Sequence, residues 1–88
     1  MKRDLSVALK ILEFIEENAF QNSISSTLIE RAFSSDGISP SLYEQYQMDL
    51  LINGGFIYAI PVGDFGVHDC RLTWAGHDLL DSLRAAKR

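Results

Sequence analysis

One stretch of this chain carries no helical period, and it limits the possible folds more than any other feature. From Phe56 to Val62 aromatic and aliphatic residues follow one another without helical spacing, and Val67 to Leu72 reads as a partner strand. Between them Gly63-Asp64-Phe65-Gly66 supplies the glycines that a hairpin loop needs. The long periodic segments on either side are helical, so the chain has to set one hairpin against a group of helices.

The helical segments follow from their caps and apolar spacing. Asp4 is a good N-cap, and from Leu5 to Ala19 the residues Leu5, Ala8, Leu12, Ile15 and Ala19 recur at helical spacing, flanked by Val7, Leu9, Ile11 and Phe14. The polar stripe is essentially Ser6, Lys10, Glu13 and Glu17, so more than half of this first helix is apolar in circumference. After Phe20-Gln21-Asn22-Ser23 comes a short extended piece at Ile24. A second, short helix then carries Leu28, Ile29, Ala32 and Phe33, capped within Ser25-Ser26-Thr27; Thr27 and Glu30 have capping-box spacing. Ser34-Ser35-Asp36-Gly37 is a turn by composition. Ser39-Pro40 reads as an N-cap followed by proline at the first helical position, which starts a third helix through Leu42, Tyr43, Tyr46, Leu50 and Leu51. Gly54-Gly55 supplies the left-handed residue that ends it. Thr73 caps a final helix whose buried side is Leu79, Leu80, Leu83 and Ala86.

With 88 residues there is room for one core, and no linker or repeat divides residues 1–88. The expected fold is α+β and mostly helical: a winged helix-turn-helix of three helices, a β-hairpin wing and a C-terminal helix. In that layout the third helix is the recognition helix. A fold of this kind does not fix a function, which has to be argued from a site.

Arg71-Leu72-Thr73-Trp74-Ala75-Gly76 resembles the Leu-Thr-x-x-Gly junction widespread in winged-helix proteins. The resemblance implies that the threonine caps the last helix and that the glycine permits close packing. Together with Met1-Lys2-Arg3-Asp4, Gly54-Gly55-Phe56-Ile57 and Gly76-His77-Asp78-Leu79-Leu80-Asp81, the whole chain resembles the domain-of-unknown-function 2513 family, found largely in phages, prophages and their bacterial hosts. These motifs are structural and imply a fold and a genomic setting, not a catalytic residue. The chain departs from its relatives in a third helix poor in basic residues and in stopping at Arg84-Ala85-Ala86-Lys87-Arg88.

Apolar residues make up 47% of the chain and charged residues 23%, which excludes wholesale disorder. Cys70 is the only cysteine, so neither an intrachain disulfide nor a cysteine-based metal site can form within one chain. The start Met1-Lys2-Arg3 leads into Asp4 and an amphipathic pattern rather than a signal peptide, and no apolar stretch is long enough to span a bilayer. A cytoplasmic protein without membrane contact is expected, in a bacterial cell and of phage type.

DNA binding is the obvious role for a winged helix, but the charge lies in the wrong place. Asp36, Glu44, Asp49, Asp64 and Asp69 give residues 32–70 a formal charge of −5, against −4 for the whole chain, and Arg31 and Arg71 enclose a span without Lys or Arg. Phosphate neutralisation supplies most non-specific affinity for a duplex, and the third helix and the wing offer little of it. Ser39, Ser41, Tyr43, Gln45 and Gln47 can read base edges, but only on DNA already held by its backbone. Lys2, Arg3, Arg84, Lys87 and Arg88 form one basic patch if the first and last helices pack side by side; otherwise they solvate frayed ends. Lys2, Arg3, Lys87 and Arg88 are therefore the basic contacts of a DNA-binding alternative.

Motifs that carry chemistry are missing. His68 and Cys70 can share one face of a strand with Asp69 on the other, yet two ligands do not make a zinc site, and a buried Cys beside an ordinary exposed His is the expected outcome. His77 has no nucleophile beside it in sequence and reads as packing or capping. The helical wheel separates Glu16 from Glu13 and Glu17, so these read as a solvated face. No catalytic residue, cofactor, metal ligand or small-molecule substrate is expected, and the chain is read as not an enzyme.

What remains is apolar surface in excess. The first helix is apolar around most of its girth, and the first strand of the hairpin carries Phe56, Tyr58, Ile60 and Val62 on one side with Ile57 and Ala59 on the other, where a solvated antiparallel sheet alternates apolar with polar. Patches of that extent mark protein interfaces. The expected contact residues are Val7, Ile11, Phe14, Tyr58, Ile60, Phe65, Leu80 and Leu83, and the expected partner is a protein or a second copy of the chain, with a dimer favoured. The competing arrangement is a tight monomer in which the first and last helices sandwich the sheet. Phe65 at the hairpin tip is either a partner anchor or tucked back onto the core.

Overall fold

Asp4 caps the first helix with its own carboxylate. In the computed structural model, which describes residues 2–19 and 23–86, Asp4 Oδ1 accepts the N–H groups of Ser6 at 3.0 Å and Val7 at 3.2 Å. Helix α1, Leu5–Asn18, follows. The expectations for Phe20, Gln21, Asn22, Lys87 and Arg88 lie outside the described residues. The buried stripe of α1 is Ala8, Leu9, Ile11, Leu12 and Ile15, and the helix packs against helices α2 (Ser26–Phe33), α3 (Leu42–Asn53) and α4 (Trp74–Ala86) and against strand β3 (Val67–Leu72). With neighbours in several directions, a broad apolar girth is used within one chain. Ile11 is therefore a core residue with no exposed surface, which corrects its expected place at an interface.

The extended piece at Ile24 is a true strand. Strand β1, Ile24–Ser25, and strand β2, Ile57–Val62, flank β3 in an antiparallel sheet of order β1-β3-β2, with Ile24 opposite Cys70 and Ile57 opposite Leu72. Val62 and Val67 close the hairpin across Gly63-Asp64-Phe65-Gly66, where Gly63 and Gly66 take φ values of 71° and 74°. Ser25 caps α2 through Thr27 N–H at 3.3 Å, so Thr27 lies inside the helix and its expected capping box with Glu30 does not form. Ser26 beside it is buried and accepts His68 N–H at 2.9 Å, which ties α2 to the sheet.

Helix α3 starts later than Ser39-Pro40 implies. Asp36 Oδ1 accepts the N–H groups of Ile38 and Ser39 at 2.8 and 3.0 Å, holding that segment as a turn. The cap is Ser41: its hydroxyl accepts Glu44 N–H at 3.2 Å while Glu44 Oε1 accepts Ser41 N–H at 2.9 Å. A reciprocal box satisfies two orphan donors where Ser39 would satisfy one, so it sets the boundary. At the other end Gly55, with φ 83°, closes a Schellman motif in which Phe56 N–H reaches Leu51 O at 2.9 Å and Gly55 N–H reaches Ile52 O at 3.2 Å.

Thr73 joins three elements. Its hydroxyl accepts Gly76 N–H at 3.0 Å to cap α4 and donates to Gly55 O at 2.6 Å at the end of α3. A Cβ on Gly76 would stand 2.1 Å from the Phe56 carbonyl oxygen, so only glycine fits this crossing. The core gathers Ile11, Leu12, Ile15, Ile29, Phe33, Cys70 and Leu80, all without exposed surface or nearly so. Leu80 thus belongs to the core and not to a contact surface, while Ala86, expected on the buried side of α4, is exposed. No described helix is long and apolar enough to cross a membrane.

Candidate interaction surface

Tyr43, Glu44, Gln45, Gln47 and Asp49 of α3 are bonded within the chain. Gln47 is 2% exposed; its Oε1 accepts Asp4 N–H at 2.6 Å and its Nε2 donates to Lys2 O at 2.9 Å. Gln47 is thus a clamp on the N-terminal segment, which corrects its expected place among base-reading residues. Tyr43 OH donates to Asp4 Oδ2 at 2.7 Å, Gln45 Nε2 donates to Asp49 Oδ1 at 3.2 Å, and the Ser41 hydroxyl serves the helix cap. Hydrogen bonds from the Ser6 and Tyr43 hydroxyls and from Val7 N–H hold the Asp4 carboxyl down at about 2. Ser39, Lys2 and Arg3 are exposed.

The expected basic patch is also reduced. Arg84 is held by Glu16 at 2.8 Å and by Glu13 at 3.4 Å. Glu13 and Glu16 therefore act together, against the expectation that the wheel separates them, because a guanidinium fork spans a turn of helix. Around α3 the acidic side chains of Asp36 and Asp49 stay exposed.

On the hairpin the situation is reversed. Tyr58, Ile60 and Val62 alternate along β2 and point away from the core with 49%, 47% and 47% of their surface exposed. Across the ladder they face Arg71, Asp69 and Val67, so this outer face is an apolar row bordered by one base and one acid. The Arg71 guanidinium lies 5.1 Å from the centre of the Tyr58 ring. Phe65 at the tip is 92% exposed and is not tucked back. Of the other expected contact residues, Val7, Phe14 and Leu83 are half-buried against the core. Val62 shares this face, although it is not among the expected contact residues; its alternation with Tyr58 and Ile60 is visible in the sequence. Leu42 and Trp74 are exposed as well, each at the first residue of its helix.

Contact through the free edge of β2 is hindered. Phe56 O accepts Thr73 N–H at 3.2 Å, and by ladder alternation Ile57, Ala59 and Pro61 turn their backbone groups to the open edge. Pro61 has no N–H to give there, which blunts strand addition. The outer face, not the edge, is the surface available for docking.

A groove of about 620 Å3 at the hairpin base brings Glu16, Arg71 and His77 near one another, with His77 Nδ1 3.9 Å from Glu16. Glu16 is already engaged by Arg84, and Thr73 by its cap. Ala19 also lines this groove. Cys70 is buried, which pushes its thiol up to about 11, and His68 is half-buried with Nδ1 3.2 Å from Gly66 O. Among the described residues no three or more His, Cys, Asp or Glu side chains gather as a metal site. No family model, curated protein or solved structure matches the chain.

Proposed function

We propose that this chain is a non-enzymatic winged-helix module of phage or prophage type, working in a bacterial cytoplasm through protein contacts made by the outer face of its hairpin. The order of helices and strands and the sheet order β1-β3-β2 support the winged-helix reading. One observation carries the functional reading: Tyr58, Ile60 and Val62 form an unbroken exposed apolar row beside an exposed Phe65, on a domain whose core is complete without them. Such rows are stabilised by burial against another protein. The competing role is a DNA-binding regulator. It is disfavoured by an acidic α3 whose Tyr43, Gln45 and Gln47 are bonded within the chain.

The test compares the wild-type chain with Ile60→Asp as bait, with protein and nucleic acid measured in the same eluate and by sedimentation of the purified chain. Self-association or specific protein capture that disappears in Ile60→Asp is the expected result. Salt-steep retention of duplex DNA, lost on neutralising Lys2 and Arg3 but indifferent to Ile60→Asp, would overturn the reading.

A further inference from the structure

We propose that the occupant of the outer face is a second copy of this chain, packed face to face about a twofold axis that crosses the strands at the level of the Ala59–Cys70 pair. This rests on the outer face being the contact surface. The argument starts from charge. The face carries one carboxylate and one guanidinium, Asp69 and Arg71, both exposed and neither in an ion pair among the described residues. A partner surface of one sign satisfies only one of them. A surface that is its own complement satisfies both, and that is what an isologous contact requires.

The register fixes which twofold works. Asp69 and Arg71 lie one residue to either side of Cys70, and their cross-strand partners Ile60 and Tyr58 lie one residue to either side of Ala59. An axis between the two faces, perpendicular to the strands at that level, turns the second hairpin end for end. Asp69 then meets the second copy's Arg71, and Tyr58 meets the second copy's Ile60, with each pair occurring twice. An axis parallel to the strands and over β3 would set Asp69 on Asp69 and Arg71 on Arg71, a repulsive arrangement, and one between β2 and β3 would set Asp69 on Ile60 and leave the carboxylate unpaired. Sheets packed this way lie roughly 10 Å apart, a gap that these side chains fill. The same operation brings the hairpin tip, with its exposed Phe65, to the level at which the second copy's α4 begins. Pro61 keeps the two sheets from pairing edge to edge instead.

Sedimentation equilibrium of the purified chain and of three surface variants tests this, with far-UV circular dichroism confirming the fold of each. The wild type is expected to be a dimer. Asp69→Arg and Arg71→Asp each replace two attractive pairs by two repulsive ones and are expected to weaken the dimer about tenfold or more. The charge-swapped double variant restores opposite pairs and is expected to return close to wild type. A double variant as weak as the singles, or singles as tight as wild type, overturns the proposed register. A wild-type chain that stays monomeric overturns self-pairing. Protein capture that still depends on Ile60 would then leave the contact surface standing, whereas indifference to Ile60→Asp in both assays removes the contact surface as well.

Discussion

On the inner side of β2, Ile57 is 2% exposed and packs with Leu72 and Cys70 into the core; one residue further on, Tyr58 is half exposed on the outer side. Both faces of β2 are built from apolar residues, but only the inner one is closed over by helices; the outer one adjoins α1 and α4 only at its base, in the groove with Glu16 and His77. The difference teaches that apolar character was allotted twice: once to close the core and once beyond what the core can use. The inner set answers to stability, and the outer set is the one proposed to serve association.

The thiol on the inner face gives the largest contrast. Cys70, raised to about 11 by burial, is expected to react with an alkylating reagent at neutral pH about a hundredfold or more slower than a free cysteine, with reaction appearing on unfolding. Rapid native labelling would mean that the inner face is open. Next, Ile57→Ala is expected to lower stability by about 3 kcal/mol, as buried large-to-small changes do. Ile60→Ala is expected to change it by less than about 0.5 kcal/mol while weakening association. Comparable losses in urea unfolding would erase the distinction between the faces. Gly76→Ala, which drives a Cβ against the Phe56 carbonyl, is expected to cost about 2 kcal/mol in the same assay.

The sequence made the hairpin, the four helices and the caps at Asp4 and Thr73 legible, because each rests on a local pattern. It hid α3. The buried stripe of that helix is Glu44, Gln47, Met48 and Leu51, and its two polar members break the apolar period by which a buried face is read. Glu44 is buried because it closes its own cap, a Ser41-x-x-Glu44 signal that competed with Ser39-Pro40 and was there to be found. Gln47 is buried because it binds backbone more than forty residues away in sequence, and no local pattern announces that. The proposed contact surface is legible only in half. Tyr58, Ile60 and Phe65 stood out, whereas Ile11 and Leu80 were counted as surplus because the number of neighbours around α1 and α4 is not written in either helix.

Smaller effects sharpen the account of α3. Ser41→Ala is expected to lower stability by about 1 kcal/mol, and Ser39→Ala by far less, in thermal or urea unfolding. The reverse order would return the start of the helix to Ser39. Asp4 is read out by pH. Its folded pKa, about 2, lies below its ordinary 3.8, so its contribution is present above pH 4 and is lost as the pH falls towards 2. Asp4→Asn keeps an oxygen for the cap but does not titrate, so its stability is expected to fall less over that window than that of the wild type.

The claim that the hairpin's outer face, and not α3, makes the contacts is most directly tested by hydrogen exchange followed as the chain is concentrated through its association range, with and without duplex DNA. Added protection confined to residues 57–62 and 67–72, with 42–53 unchanged by DNA, is the expected outcome. Protection of 42–53 by DNA with an unchanged hairpin would contradict it.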